Sequence, residues 1–125
     1  MADVTTSTTL ASTSRRHVVI LTNVLDGTAE EAAVQKVDIS GLPGSPTKVA
    51  IARAAWCCDG VKVKVGFDHT ADDYVMICAG QHSMDMRDYG GVADPASTGE
   101  TGDVIFTTVG ATADDTYSIL LELEY

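Results

Sequence analysis

The sequence predicts an all-β protein: an antiparallel β-sandwich of about eight strands, jelly-roll-like, with an extended N-terminal arm. Runs of β-branched residues, or of alternating apolar and polar residues, recur about every ten positions between Gly, Pro, Asn and Asp turn signals. No segment carries the helical period over three turns. A jelly roll places eight strands in two sheets and is the preferred assignment, although strand count alone does not separate it from an immunoglobulin-like sandwich.

The N-terminal arm is predicted over residues 1–16, and a single β-sandwich domain over 17–125. Residues 1–14 are mostly Thr and Ser, with Val4 and Leu10 as their large aliphatic side chains. Such a segment buries too little apolar surface to order itself, so we expect it to become ordered only against a partner. The residues expected to bind that partner combine β propensity with a basic pair that would contact carboxylates: Val4, Thr5, Thr6, Thr8, Thr9, Leu10, Arg15 and Arg16.

The first three strands are each delimited by turn signals. We predict strands over 17–23 and 34–40, separated by a stretch whose Asp26-Gly27 pair indicates a turn and which has room for at most one helical turn. The Gly- and Pro-rich residues 41–46 predict a loop, after which a third strand is expected over 47–56.

The next three strands follow the hairpin signal Asp59-Gly60. Residues 61–67 alternate apolar and polar and predict a strand with one buried face. Residues 74–79 are almost continuously apolar and predict a central strand, and residues 82–87 alternate again.

A long loop and two strands complete the domain. Residues 88–102 are rich in Gly, Pro and Asp without periodicity, and loops of this length in compact domains are usually functional or disordered. The candidate interface residues in it are Tyr89, Gly90, Gly91, Asp94 and Pro95. Strands are expected over 103–109 and 116–124. Leu120 departs from the alternation of the last strand and indicates contact with a second apolar surface, such as a neighbouring subunit, although an isolated exposed leucine would explain it equally well.

Composition argues against two classes of partner. The 125 residues include 8 Lys and Arg against 18 Asp and Glu, a net charge of −10. Binding to a phosphate backbone needs clustered basic residues, so we expect no nucleic acid partner. The apolar runs are shorter than a membrane span, and the N-terminus lacks a basic-then-apolar signal, so we expect no membrane partner and synthesis in a cytosol.

Candidate catalytic and metal-binding groups lack the spacing that chemistry requires. The three cysteines, two of them adjacent, are expected to be reduced thiols, and no pattern links them to a histidine. The acidic turn 68–73 departs from calcium-loop spacing. Asp85 and Asp88 could serve as a glycosidase pair, but only Tyr89 accompanies them as a sugar platform. We therefore expect no enzyme, no cofactor and no metal.

Four stretches resemble small structural proteins from tailed bacteriophages of aquatic bacteria. They are residues 2–19, 63–70, 88–96 and 99–108, and the resemblance that they suggest runs over most of the chain. The chain departs from the pattern at Trp56-Cys57-Cys58. The resemblance implies a virion component rather than a catalyst, with a capsid decoration (cement) protein as the best match in size and fold.

That resemblance implies partners and a location. A decoration protein binds the major capsid protein on the outer surface of the assembled head, commonly as a homotrimer, after synthesis in the host cytoplasm. Two alternatives stay open: a head-to-tail adaptor or tail structural protein, and a carbohydrate-binding β-sandwich whose lectin site would be the 88–102 loop.

Overall fold

A computed structural model describes residues 4–25, 27, 31–44, 46, 49–68, 73–93 and 103–125. Ten strands occur in these ranges: β1 Val4–Ser12, β2 Arg16–Val24, β3 Val34–Val37, β4 Ala50–Asp59, β5 Lys62–Phe67, β6 Asp73–Cys78, β7 Gln81–Asp85, β8 Val92–Ala93, β9 Val104–Val109 and β10 Thr116–Glu124. Two short 3₁₀ turns, Ile39–Gly41 and Arg87–Tyr89, are also present. The predicted all-β class is confirmed.

The strands form two antiparallel sheets packed as a sandwich. The larger sheet has the order β1-β2-β10-β4-β7, and the two-residue β8 pairs with the first residues of β4, next to the segment of β4 that pairs with β7. The smaller sheet has the order β3-β9-β5-β6. The chain crosses between the sheets repeatedly, so most neighbouring strands are distant in sequence. Each strand contributes alternate side chains to one face, and the two inner faces enclose a core that includes Ile119, Leu121 and Phe106.

The larger sheet has more strands than the smaller one, and the side chains of its two edge strands, β1 and β7, are mostly exposed. All described side chains of β1 are exposed except that of Ala11, which is partly buried, and all five residues of β7 are exposed. In a sandwich the inner face of a strand normally packs on the opposite sheet. The described side chains of both edge strands therefore lie largely outside the core.

Several boundaries differ from the sequence predictions. Two of the ten strands were not predicted: β1 falls in the predicted arm, and β8 falls in the predicted 88–102 loop. The strand predicted over 34–40 ends at Val37, because the chain turns into Ile39–Gly41 and the Ile39 N–H donates to the Asp103 carboxylate at 3.0 Å. The strand predicted over 47–56 runs instead from Ala50 to Asp59, and so includes Trp56-Cys57-Cys58.

Candidate interaction surface

Strand β1 is the edge of the larger sheet and pairs only with β2 among the described elements. The register runs from Val4 opposite Val24 to Ser12 opposite His17, with a bulge between Thr9 and Ala11. This finding differs from the predicted arm. Residues 4–12 are already ordered within one chain, because backbone pairing with β2 orders them without a buried apolar face. What remains of the prediction is a polar, exposed strand with one backbone edge that no described strand pairs with.

A tight turn joins β1 to β2 and is tied to the end of the chain. The Thr13 N–H donates to the Arg16 carbonyl at 2.7 Å, while the Tyr125 hydroxyl donates to the Thr13 carbonyl at 2.7 Å and the Tyr125 N–H to the Arg15 carbonyl at 3.0 Å. A ring nitrogen of His17 lies 3.1 Å from the Ser12 hydroxyl. The turn is thus held by contacts from β2 and from the residue after β10.

Arg16 contacts a carboxylate, as its residue type suggested, but that carboxylate belongs to the same chain. Its Nε lies 2.7 Å from Oε1 of Glu122, and Nε of Arg53 lies 3.4 Å from Oε2. The Glu122 side chain is only 4% exposed, although it lies on the outer face of the sheet. The two guanidinium groups compensate its charge, which a desolvated carboxylate requires. Arg15 lies in the exposed turn.

The other candidate residues lie at the opposite edge of the larger sheet. Tyr89 ends the 3₁₀ turn Arg87–Tyr89 and is 86% exposed. Gly91 has φ +81°, and a Cβ there would approach the Ile51 carbonyl oxygen to 3.0 Å, so this position requires glycine. Asp94 and Pro95 lie outside the described residues. Because β2, β10 and β4 separate the two edges, the structure does not bring the strand β1 residues and the Tyr89 turn together.

An ion pair lies where β7 ends and the Arg87–Tyr89 turn begins. The Arg87 guanidinium donates to both carboxylate oxygens of Asp85, at 2.9 and 2.5 Å. These hydrogen bonds lower the pKa of Asp85 to about 2 and raise that of Arg87. Both groups are exposed, so the pair orients the turn more than it stabilises the fold.

A shallow hollow of ≈ 680 Å³ lies on the outer face of the larger sheet between these two edges. Its floor includes Ile20, Leu120 and Ala55, which are directly opposite one another on β2, β10 and β4. The other lining residues are Trp56, Cys57, Gln81, His82, Ser83 and Ser118, and no Asp, Glu, Lys or Arg is among the described residues that line it. Sequence reasoning detected only Leu120 of this surface, through its break in alternation.

A smaller cavity, of ≈ 240 Å³, lies between β1 and β3, and most of the residues that line it are of polar type. Among its lining residues, Glu31 accepts a hydrogen bond from the Tyr117 hydroxyl at 2.5 Å and lies 2.6 Å from the Lys36 ammonium. The Lys36 and Glu31 side chains are only 9% and 6% exposed. Lys36 also lies 5.7 Å from the centroid of the Phe106 ring. This arrangement satisfies a buried ion pair with a hydroxyl and two aromatic faces, and it ties β3 to β10.

The three cysteines differ in exposure. Burial raises the pKa of Cys58 to about 11 and that of Cys78 to about 12, so both are thiols near neutral pH, while Cys57 is exposed beside the hollow. Within the described ranges, no three His, Cys, Asp or Glu side chains are grouped to hold a metal ion. In the same ranges, no helix is long and apolar enough to cross a membrane.

The fold and these surfaces define an antiparallel β-sandwich with an exposed polar strand at one edge of its larger sheet and an exposed tyrosine at the other. No protein-family model and no curated protein matches the chain.

Proposed function

We propose that this chain is a structural protein of a tailed bacteriophage virion, a capsid decoration (cement) protein that binds the outer face of the assembled head. In this proposal the major capsid protein is its partner, and the protein attaches as a homotrimer after synthesis in the host cytoplasm. The resemblance of four stretches of the sequence motivates the setting. The strand order, with β2, β10, β4 and β7 facing β3, β9, β5 and β6, supports the jelly-roll assignment.

The observation that carries the mechanism is the open edge of β1. Strand β1 has nine residues and no charged side chain, and along its outer edge no described strand pairs with its backbone groups. Such an edge is a template to which an extended segment of another chain can add through main-chain hydrogen bonds. The proposed role of the predicted arm thereby becomes more specific. Strand addition would use the pre-formed edge of β1, so binding would cost less conformational entropy than the ordering of a disordered tail.

Binding of this kind would stabilise a head by mass action. A protein that binds only the assembled shell shifts the equilibrium towards that shell. Three β1 edges on one trimer would act together through a high effective concentration, so that modest contacts at each edge sum to tight attachment. The net charge of −10 would disfavour attachment to the packaged DNA and leave coat protein as the partner.

The direct test uses mature heads assembled without this chain. We expect the full-length protein to bind them saturably, and a variant lacking residues 1–14 to lose binding while keeping its β-type circular dichroism spectrum. The matched control is Val109→Ser, which alters an exposed residue of the smaller sheet and leaves β1 unchanged. Full binding by the truncated protein would refute the proposed role of β1.

Copy number separates decoration from the alternative head-to-tail or tail role. A decoration protein is present in hundreds of copies per particle, whereas an adaptor ring contains about six or twelve. Quantitative gel analysis of purified virions distinguishes these. The carbohydrate-binding alternative rests on the exposed Tyr89 ring, and a glycan array probed with and without Ca²⁺ tests it, with Tyr89→Ser as the control.

A further inference from the structure

Two features of the larger sheet are uncharged in a chain that carries a net charge of −10. One is strand β1, whose nine residues include no charged side chain and whose Leu10 is 53% exposed. The other is the hollow above Ile20, Leu120 and Ala55, where the described lining residues include no Asp, Glu, Lys or Arg. Copies of a strongly acidic chain repel one another, so any contact between them is favoured at surfaces of this kind.

We propose that the hollow binds strand β1 from a second copy of this chain. The inference rests on the proposed function, since it names a sister subunit as the partner of the side chains of β1. In the proposed trimer each copy would give one strand and receive one.

The chemistry of the two surfaces matches. The floor of the hollow is aliphatic, and its rim includes the Ser83 and Ser118 hydroxyls and the Gln81 amide. Strand β1 offers threonine methyl groups and Leu10 for the floor and hydroxyl groups for the rim. An interface with an apolar centre, a hydrogen-bonding rim and no buried unpaired charge has the composition of a stable contact.

The register identifies which face of β1 would make the contact. Thr8 lies opposite Ile20, Ile20 opposite Leu120, and Leu120 opposite Ala55. Thr8 is therefore on the outer face of the sheet, whereas the adjacent Thr9 lies opposite the buried Val19 and is on the inner face. A contact through outer-face side chains leaves the backbone edge of β1 free, so the same strand could add to a coat-protein strand.

Cys57 provides a reporter, because it lies in the hollow and is the exposed cysteine of the three. Within one chain, β1 and β4 are separated by three strand spacings, about 14 Å. A disulfide requires Cα atoms within about 7 Å. A disulfide between position 8 and Cys57 can therefore form only between two copies.

The experiment is oxidative cross-linking of purified Thr8→Cys protein, followed by non-reducing electrophoresis. We expect covalent species of more than one chain that disappear when Cys57→Ser is added. Thr9→Cys, one residue away on the other face, should give no more product than the unchanged protein. Equal yields from the two variants, or no product from Thr8→Cys, would overturn the inference.

A charge placed in the hollow gives an independent reading. Ser118→Asp adds a carboxylate to the exposed rim, while Val109→Asp adds the same charge at a 45% exposed site on the smaller sheet. In sedimentation velocity, Ser118→Asp should weaken self-association at least about tenfold, and Val109→Asp should change it little. Similar effects from both would show that the hollow is not the contact.

Head binding by the same variants separates this inference from the proposed function. If Thr8→Cys does not cross-link but the reduced protein still decorates heads, the sister-subunit contact is refuted and the decoration role stands. If Thr8→Cys cross-links but neither the unchanged protein nor any variant binds heads, the decoration role is refuted and the sister-subunit contact stands.

Discussion

Replacing Lys36 by methionine tests whether the buried ion pair beneath β1 determines stability. The Lys36 ammonium lies 2.6 Å from Glu31, and both side chains are less than one tenth exposed. Methionine retains the aliphatic length and removes the charge. Among the described residues, the Glu31 carboxylate would then keep the Tyr117 hydroxyl as a hydrogen-bond donor, which cannot neutralise its charge.

The expected loss follows from that burial. Removing one partner of a buried ion pair costs about 3–5 kcal/mol, because the remaining charge is desolvated without compensation. A domain of this size is stable by roughly 5–15 kcal/mol, so the variant should unfold at markedly lower urea concentration, with a Tm lower by roughly 10–20 °C. Urea denaturation followed by circular dichroism measures the change.

The control is the double variant Glu31→Gln/Lys36→Met, which removes both charges. We expect it to recover much of the stability, since an uncharged amide can still accept the Tyr117 hydrogen bond. The single variant Glu31→Gln completes the comparison. If the double variant is destabilised by the sum of the effects of Lys36→Met and Glu31→Gln, the pair is not coupled and the reasoning is wrong.

Three further outcomes are expected. Gly66→Ala should destabilise the fold by about 1–3 kcal/mol in urea denaturation, because a Cβ there would lie 2.6 Å from the Asp73 carbonyl oxygen. Gly41→Ala is the matched control, since a Cβ at that position has no atom within 4 Å, and equal effects of the two variants would contradict the steric explanation. In the native protein at pH 7.5, Cys57 should be the one thiol that reacts with a disulfide reagent, because burial raises the pKa of Cys58 to about 11 and that of Cys78 to about 12. All three thiols should react in denaturant, and three fast thiols in the native state would contradict this expectation. Burial lowers the pKa of His17 below its usual value near 6.5, so the unfolded chain binds the proton more readily and stability should fall as pH decreases below about 6.5. In urea titrations, His17→Gln should remove that part of the pH dependence, and an unchanged dependence of stability on pH would refute the role of His17.

The sequence predicted the all-β class and most of the strands because local alternation reports which residues face a core. Strand β5, over Lys62–Phe67, shows this most clearly, and the predicted last strand coincides with β10, Thr116–Glu124. The predicted 103–109 strand likewise matches β9 within one residue. Each of these patterns arises from the burial of one face of the strand itself, so the segment carries its own signal.

Strand β1 had the opposite property. Its Thr and Ser residues predicted an arm, because the segment has no buried face, and its position in the sheet depends on backbone pairing with β2 that composition does not record. The same limit applies to Glu122, whose two arginine partners come from β2 and β4. Contacts between strands that are distant in sequence leave no local pattern in either strand.

The sequence by itself therefore determined the class of fold, the acidic charge and the uncharged, β-prone character of residues 4–12. Only the tertiary structure decided that these residues form an edge strand, and that Ile20, Ala55 and Leu120 line one uncharged hollow. The physical reason is that side-chain period is a property of each strand, whereas an edge and a surface hollow are properties of strand order.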